Sequence, residues 1–123
     1  MSQARRQTGQ QGEAVAASHL REQGYRIIDR NYRCPFGEID LIGQEGETLV
    51  FIEVKCRRSD AFGPPELAVG PQKQKKLSLC ALHYLSQTDQ QSPARFDVVA
   101  IRLRPDGHRV ELIRNAFELR LPG

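Results

Sequence analysis

Apolar residues along the chain recur with two periods, about 3.6 residues in some segments and 2 residues in others. In the first helical segment, residues 9–23, Ala16, Ala17 and Leu20 form one stripe, and Gly24 provides a C-terminal stop. Thr8 begins a pattern that resembles a capping box, which places the helix start at residue 9. Strand-like segments cover residues 25–30, 38–43, 48–55, 95–103 and 108–113, and a second helix covers residues 71–86.

The third strand, residues 48–55, is apolar on both faces until Glu53. Such a strand normally lies in the middle of a sheet that is covered on both sides. We therefore predict an α/β fold with a β-sheet of about five strands flanked by helices, in the order α-β-β-β-α-β-β. Residues 44–47 are predicted as a hairpin loop, residues 61–70 as a loop, and residues 116–119 as a short terminal helix.

Composition adds limits on size, compartment and partners. The chain has 123 residues, which predicts a single domain over 1–123. A formal charge of +3 favours polyanionic partners only mildly. The three cysteines, Cys34, Cys56 and Cys80, form no Cys-x-x-Cys pair, and the sequence shows neither a secretory signal nor an apolar run of membrane-spanning length. We expect reduced thiols in a cytoplasmic protein.

Charged residues continue an apolar row at the end of the third strand. Side chains alternate along a strand, so Glu53 and Lys55 share a face with Phe51. If the preceding hairpin loop has an even number of residues, Asp40 lies opposite Phe51 and diagonal to Glu53, at about 7–8 Å. The pattern thus predicts Asp40, Glu53 and Lys55 on one face of the sheet.

A further carboxylate, Glu13, begins the apolar stripe of the first helix. Acids at about 4 Å repel by about 4 kcal/mol at an effective dielectric near 20, and a divalent cation would remove that penalty. Carboxylate oxygens are ligands that Mg²⁺ prefers, with Mn²⁺ as an expected substitute. We expect metal ligation by Asp40, Glu53, Glu13 and the backbone carbonyl of Val54, with Glu38 as a possible substitute for Asp40.

With a metal at these acids, Lys55 would orient or deprotonate a water nucleophile and offset negative charge on a phosphate. The candidate catalytic residues are therefore Glu13, Asp40, Glu53 and Lys55. Taken separately, each has an ordinary interpretation as well. Glu-x-Lys at a strand end is often a solvated exit from a sheet, and Glu13 could simply satisfy the helix macrodipole.

Several basic residues flank the proposed site. Lysines crowd the first turns of the second helix, where the dipole disfavours cations, so this group indicates either a bound phosphate or a solvated face. Two arginines directly after the third strand favour a nucleic-acid track, and Gln74 lies in line with the apolar face of its helix. The predicted nucleic-acid contacts are Arg57, Arg58, Lys73, Gln74, Lys75 and Lys76.

The remaining ionisable residues receive structural roles. His19, His83 and His108 are dispersed over two helices and a hairpin, which argues against a shared metal. Asp97, in the fourth strand, is expected to be a local salt-bridge or hydrogen-bond partner rather than a metal ligand.

Two sequence motifs resemble a known nuclease pattern. Gly-Glu-Ile-Asp at 37–40 and Phe-Ile-Glu-Val-Lys at 51–55 are similar to the PD-(D/E)XK signature of archaeal Holliday-junction resolvases and restriction endonucleases, with Ile39 in place of the proline. More narrowly, the chain resembles the YraN-like bacterial family of predicted endonucleases. This similarity extends from residues 9–14 through 30–33 and the lysine-rich helix to 95–99.

The resemblance implies a restriction-endonuclease-like fold with a mixed β-sheet. It also implies that Glu13, Asp40, Glu53 and Lys55 occupy the acidic and basic catalytic positions of that superfamily. It implies a metal-dependent endonuclease acting on DNA, with branched or structured DNA as one candidate substrate, and suggests a homodimer. Two alternatives stay open: a nucleic-acid-binding module with a nuclease-like fold and little or no turnover, and a protein-interaction adaptor.

Overall fold

The computed structural model describes residues 3–57 and 69–120, with side chains from residue 11 onward. One mixed sheet has the strand order β1-β2-β3-β4-β5, in which β3 and β4 are parallel and the other neighbours are antiparallel. The predicted order of elements is confirmed. The elements are α1 (Gln3–Glu22), β1 (Arg26–Cys34), β2 (Gly37–Glu45), β3 (Thr48–Arg57), α2 (Pro71–Thr88), β4 (Ala94–Arg104) and β5 (Gly107–Phe117).

The central strand β3 is buried on both faces, as its sequence predicts. Val50 and Ile52 join the apolar cluster that contains Ala16, Ala17 and Leu20 of α1. Leu49 and Phe51, on the other face, join the cluster that contains the apolar residues of α2. A parallel neighbour requires a crossover connection, and α2 lies in the segment that links β3 to β4. No helix in the described ranges is both long enough and apolar enough to cross a membrane.

The ends of α1 show one prediction confirmed and one wrong. Gly24, at φ +96°, follows the helix, and its N–H donates to the Arg21 carbonyl at 3.0 Å, so the predicted stop is confirmed. The helix begins at Gln3 rather than at residue 9. Thr8 therefore lies inside the helix, and the capping box is wrong, because nothing in that motif distinguishes a helix start from a polar stretch of helix.

The predicted terminal helix is also wrong, because residues 116 and 117 belong to β5. Phe117 pairs with Phe96 of β4, and their rings stack with centroids 4.6 Å apart. Burying an aromatic ring in this way outweighs the weak tendency of four residues to form an isolated helical turn. Most of the predicted loop at 61–70 lies outside the described residues.

All three cysteines are free thiols, as the sequence led us to expect. Cys34, at the end of β1, and Cys80, on the buried face of α2, nevertheless meet with their sulfur atoms 3.0 Å apart. This contact joins the β1–β2 hairpin to α2. Sequence spacing gave no indication of it, because 46 residues separate the two positions.

Asp97 is the most completely hydrogen-bonded buried acid in the described sheet. Its carboxylate is fully buried and accepts bonds from the Tyr25 hydroxyl at 2.6 Å, the Arg95 Nε at 3.0 Å and the Asn115 backbone N–H at 2.9 Å. Arg95 also contacts Glu45 across the sheet. The expected local salt-bridge role of Asp97 is confirmed, and the network ties β2, β4 and β5 to Tyr25, which lies between α1 and β1.

We predict that Asp97→Asn destabilises the protein by about 3 kcal/mol, because it leaves the Arg95 guanidinium without its buried counter-charge. Urea denaturation would measure this change in the free energy of unfolding. Arg26→Ala is the control, since Arg26 makes an exposed hydrogen bond to Gln44 and its loss should change stability by less than about 0.5 kcal/mol. Equal effects from the two substitutions would contradict the assigned role of Asp97.

Candidate functional site

The β2 strand loses its regular alternation at Asp40. Ile39 and Ile42 both belong to the apolar cluster under α2, whereas Leu41 belongs to the cluster under α1. A strand with strict alternation would place residues 39 and 42 on opposite faces. The irregularity leaves the Asp40 carboxylate directed at the neighbouring strand, where its Oδ2 accepts the Val54 backbone N–H at 2.8 Å.

The register of β2 and β3 brings Asp40 to Glu53. The hairpin closes with Glu45 opposite Thr48, so its loop has two residues, and the expected even parity is confirmed. Phe51, however, lies opposite Ile42 rather than Asp40, because the loop is shorter than predicted. The observed register differs by two residues from the predicted one, so Asp40 lies next to Glu53 instead of opposite Phe51. The Asp40 and Glu53 side chains share a hydrogen bond.

Glu53 is a buried carboxyl with an unsatisfied oxygen. Its side chain is 7% exposed, and among the described residues no hydrogen-bond partner reaches its Oε2. The Lys73 Nζ of α2 lies 3.6 Å from this oxygen, which is an ion pair but not a hydrogen bond. Burial first, and then Asp40, raises the pKa of Glu53 to about 8, while the charges of Lys73 and Lys55 oppose the shift.

Two further acids complete the group on the α1 side. Glu13, Glu38 and Asp40 each offer a carboxylate oxygen within 4.8 Å of the others, and all three residues are half-buried. Desolvation is the main cause that raises the pKa of Glu13, with Asp40 adding to it and a hydrogen bond from Asn31 opposing it. Asp40 therefore connects this cluster to Glu53.

The position of Glu13 depends on the residue before it. Gly12 is buried, and a β-carbon at that position would lie 3.3 Å from the Cys56 sulfur of β3. Few β-carbon contacts in proteins are that short, so the glycine lets α1 approach the sheet closely. Because of this close approach, the Glu13 carboxylate lies near the start of β2, beside Glu38 and Asp40.

The predicted basic residue and backbone ligand both lie beside the acids. Lys55 is half-buried, follows Glu53 on the same face of β3, and its charge acts on the Glu53 carboxyl. Within a strand, the N–H and C=O of one residue point toward the same neighbour. Since the Val54 N–H points at Asp40, the Val54 carbonyl is directed to the same side.

The predicted nucleic-acid contacts have different surroundings. Lys73 faces Glu53, and Lys75 and Lys76 are exposed on α2. The Gln74 amide donates to the Val69 carbonyl at 2.8 Å and accepts from Arg120, so these contacts hold it at the start of α2 rather than at the acids. Arg57 is half-buried at the end of β3. Arg58 lies outside the described residues.

The sequence pattern missed the role of Asn31, which has a left-handed φ of 54° and hydrogen-bonds Glu13. An asparagine inside a strand is the signal that could have indicated such a backbone position. The histidines stay apart from the acids, and His83 instead contacts the Tyr32 hydroxyl. In the described part of the chain, the group with metal-ligand geometry contains carboxylates only.

Comparison with known proteins identifies relatives that this chain matches over most of their length. A relative from Syntrophus aciditrophicus is 58% identical and one from Pelobacter propionicus is 52% identical, with alignments covering 91% and 93% of this chain and 89% and 84% of theirs. Both are named as UPF0102 proteins. The structure of SfsA from Pyrococcus furiosus in complex with Ca²⁺ aligns with a TM-score of 0.41 and 13% identity, over 89% of this chain and 62% of that one.

The family comparison covers most of the described structure. The model of the uncharacterised protein family UPF0102 matches residues 12–101, a range that begins at the Gly12 contact and ends in β4. That range contains all the acids of the candidate site and Lys55. On this match and on the identities of its relatives, the chain belongs to the UPF0102 family.

Proposed function

We propose that the chain is a metal-dependent endonuclease that hydrolyses phosphodiester bonds in DNA, with the PD-(D/E)XK arrangement of catalytic residues. The observation that carries this proposal is the buried Glu53 carboxyl, which shares a hydrogen bond with Asp40, has an oxygen without a donor among the described residues, and lies beside Lys55. A purely structural acid in that position would normally be fully hydrogen-bonded, as Asp97 is.

The donor set fits a hard divalent cation. Mg²⁺ takes oxygen ligands, commonly uses one or two carboxylates, and leaves other positions for water and substrate phosphate. Asp40 and Glu53 would hold it, with the Val54 carbonyl and Glu13 in support and Glu38 available on the same side. When bound, the cation would supply Lewis-acid polarisation of the phosphate and help to activate water.

The residues of the chain would provide the rest of the chemistry. The Lys55 ammonium donates hydrogen bonds that orient a water molecule and offset the negative charge that grows on the phosphate during attack. Asp40, fixed by the Val54 N–H, keeps its carboxylate in place without rearrangement. Lys73 pairs with Glu53. When the Glu53 carboxyl binds a metal ion, the Lys73 ammonium can instead pair with a substrate phosphate.

We expect cleavage of DNA in the presence of Mg²⁺ or Mn²⁺ and a loss of about 10²–10³-fold in rate for Lys55→Ala. The substrate panel is linear, nicked and four-way DNA, together with RNA, and gel analysis of labelled strands measures the cut. Lys55→Arg tests whether charge alone is sufficient. Glu13→Gln should also slow cleavage, because it removes a carboxylate of the site, and Glu22→Gln, at an exposed position of α1, is its matched control.

Binding of DNA without any Lys55-dependent cutting would overturn the endonuclease proposal and favour a binding module with little or no turnover. If the protein does not bind nucleic acid at low salt, and if Asp40→Ala does not alter its function, a protein-interaction adaptor is favoured.

Metal binding should be measurable without substrate. A cation that binds the folded state stabilises it by about 2.7 kcal/mol at a concentration 100 times its Kd. We therefore expect Mn²⁺ or Mg²⁺ to raise the Tm of the wild type, and Asp40→Asn to remove most of that increase. An equal increase in both proteins would place the metal elsewhere.

Without metal, stability should fall as the pH rises from about 4.5 to about 8. In that window Glu53 is ionised in the unfolded chain but protonated in the folded one, since its pKa rises from 4.5 to about 8 on folding. The folded state then binds the extra proton, so the free energy of unfolding decreases by at most about 1.4 kcal/mol per pH unit from this group. Denaturation of Glu53→Gln in EDTA should show a flatter profile, and an unchanged slope would contradict the assignment.

A further inference from the structure

A row of arginines crosses three strands beyond the area that α2 covers. Arg57 of β3 lies directly opposite Arg102 of β4, and Arg102 lies directly opposite Arg109 of β5. Directly opposed residues project from the same face of a sheet, and neighbouring strands are about 4.8 Å apart. The register therefore places three arginine residues side by side on one face.

This row belongs to the same face as the catalytic candidates. Along β4, Val98 still lies in the apolar cluster under α2, and Ala100 and Arg102 follow on that face. Val98 pairs with Glu53 and Ala100 pairs with Lys55. Arg57 is two residues after Lys55 on β3, so the row begins about 7 Å from the catalytic lysine position.

Like charges directly opposite one another in a sheet reduce its stability. The surface beside them is not filled in the described structure: an open depression of about 410 Å³ is lined by Ala100, Arg102, Arg109, Val110 and Glu111. Arg109 is exposed, and Glu111 is the one acid in this lining. The lining thus holds two arginines and one acid around space for a ligand, on the face of the sheet that carries Glu53 and Lys55.

We propose that Arg57, Arg102 and Arg109 form a phosphate-binding row that holds the nucleic-acid backbone beside the cleavage site. The inference rests on the proposed function, because it assigns the row to the same substrate. Guanidinium groups suit this task, since each offers planar paired donors to phosphate oxygens. Ala100, which pairs with Lys55, also lines the depression beside the row, so the row and the catalytic lysine position are neighbours on one face.

The row explains how a chain of formal charge +3 could bind a polyanion. Its charges are concentrated on one part of one face, and local potential rather than net charge determines such binding. Sequence patterning missed Arg102 and Arg109, because each looks like an ordinary polar residue in an alternating hairpin. Only the strand register brings them together with Arg57.

The test measures binding of a fluorescein-labelled DNA duplex by anisotropy in EDTA, where no cleavage occurs, over a series of salt concentrations. Each phosphate contact contributes about 0.9 to the slope of log affinity against log salt. Arg102→Gln and Arg109→Gln should each lower that slope by about 0.9, and the double substitution by about 1.8. At a fixed salt near 100 mM, each should weaken binding by roughly three- to tenfold.

Arg26→Gln is the matched control, because it removes the same charge from β1, at the opposite edge of the sheet. Its slope should equal that of the wild type. Thermal denaturation verifies folding of each variant, and Arg109→Gln alone carries the test if Arg102→Gln does not fold. The assignment of the row would be overturned by any of three results. The slope could be unchanged in the row variants, it could fall equally in the control, or the wild type could show no salt-dependent binding.

Cleavage measurements separate this inference from the proposed function. If the protein cuts DNA, the row variants should raise KM and leave kcat near the wild-type value. If it binds DNA but does not cut, the lowered slopes still support the row while the endonuclease proposal fails. If it cuts DNA and the slopes do not change, the endonuclease proposal stands and the row is wrong.

Discussion

The hydrogen bond from the Val54 N–H to the Asp40 carboxylate determines how the centre of the molecule is arranged. In a regular antiparallel ladder the Val54 N–H would donate to a backbone carbonyl of β2, but here it donates to the Asp40 side chain instead. The strands β2 and β3 consequently separate just where Glu53 follows the apolar row. At this point Glu53 is buried and contacts Asp40, and the Val54 carbonyl is directed to the same side as the Val54 N–H.

The two helices bring opposite charges to the place where β2 and β3 separate. From one face, α1 brings Glu13 to Asp40 and Glu38, and from the other face α2 brings Lys73 to Glu53. The lysine partly offsets the cost of grouping acids, but it stays beyond hydrogen-bond distance of the buried oxygen. A site whose acids are only partly neutralised by the described residues is suited to a cation, and the adjacent basic surface is suited to the anion that the cation would contact.

The fold could be predicted largely from periodicity, because β3 is apolar on both faces and therefore needed cover from two helices. The nearness of Asp40 to Glu53 and Lys55 was predictable in part, from the alternation along β3 and from loop parity. The irregularity of β2 that turns Asp40 toward the Val54 N–H, and the grouping of Asp40 with Glu13 and Glu38, were not predictable. The exact register was not, because a two-residue turn and a longer loop of the same parity give similar patterns. The bond of Asn31 to Glu13 and the opposition of Arg102 to Arg109 depend on backbone twist and pairing, which composition does not encode.

The contact between Gly12 and β3 lies near the middle of α1. The helix has nine residues before this point, a length of about 14 Å, and ten after it. The close contact at Gly12 limits how far this middle turn of α1 can move against β3, so a tilt of the helix would displace its two ends more than the residues beside the contact. Glu13 is next to that contact, so its carboxylate would move less than side chains at either end of the helix.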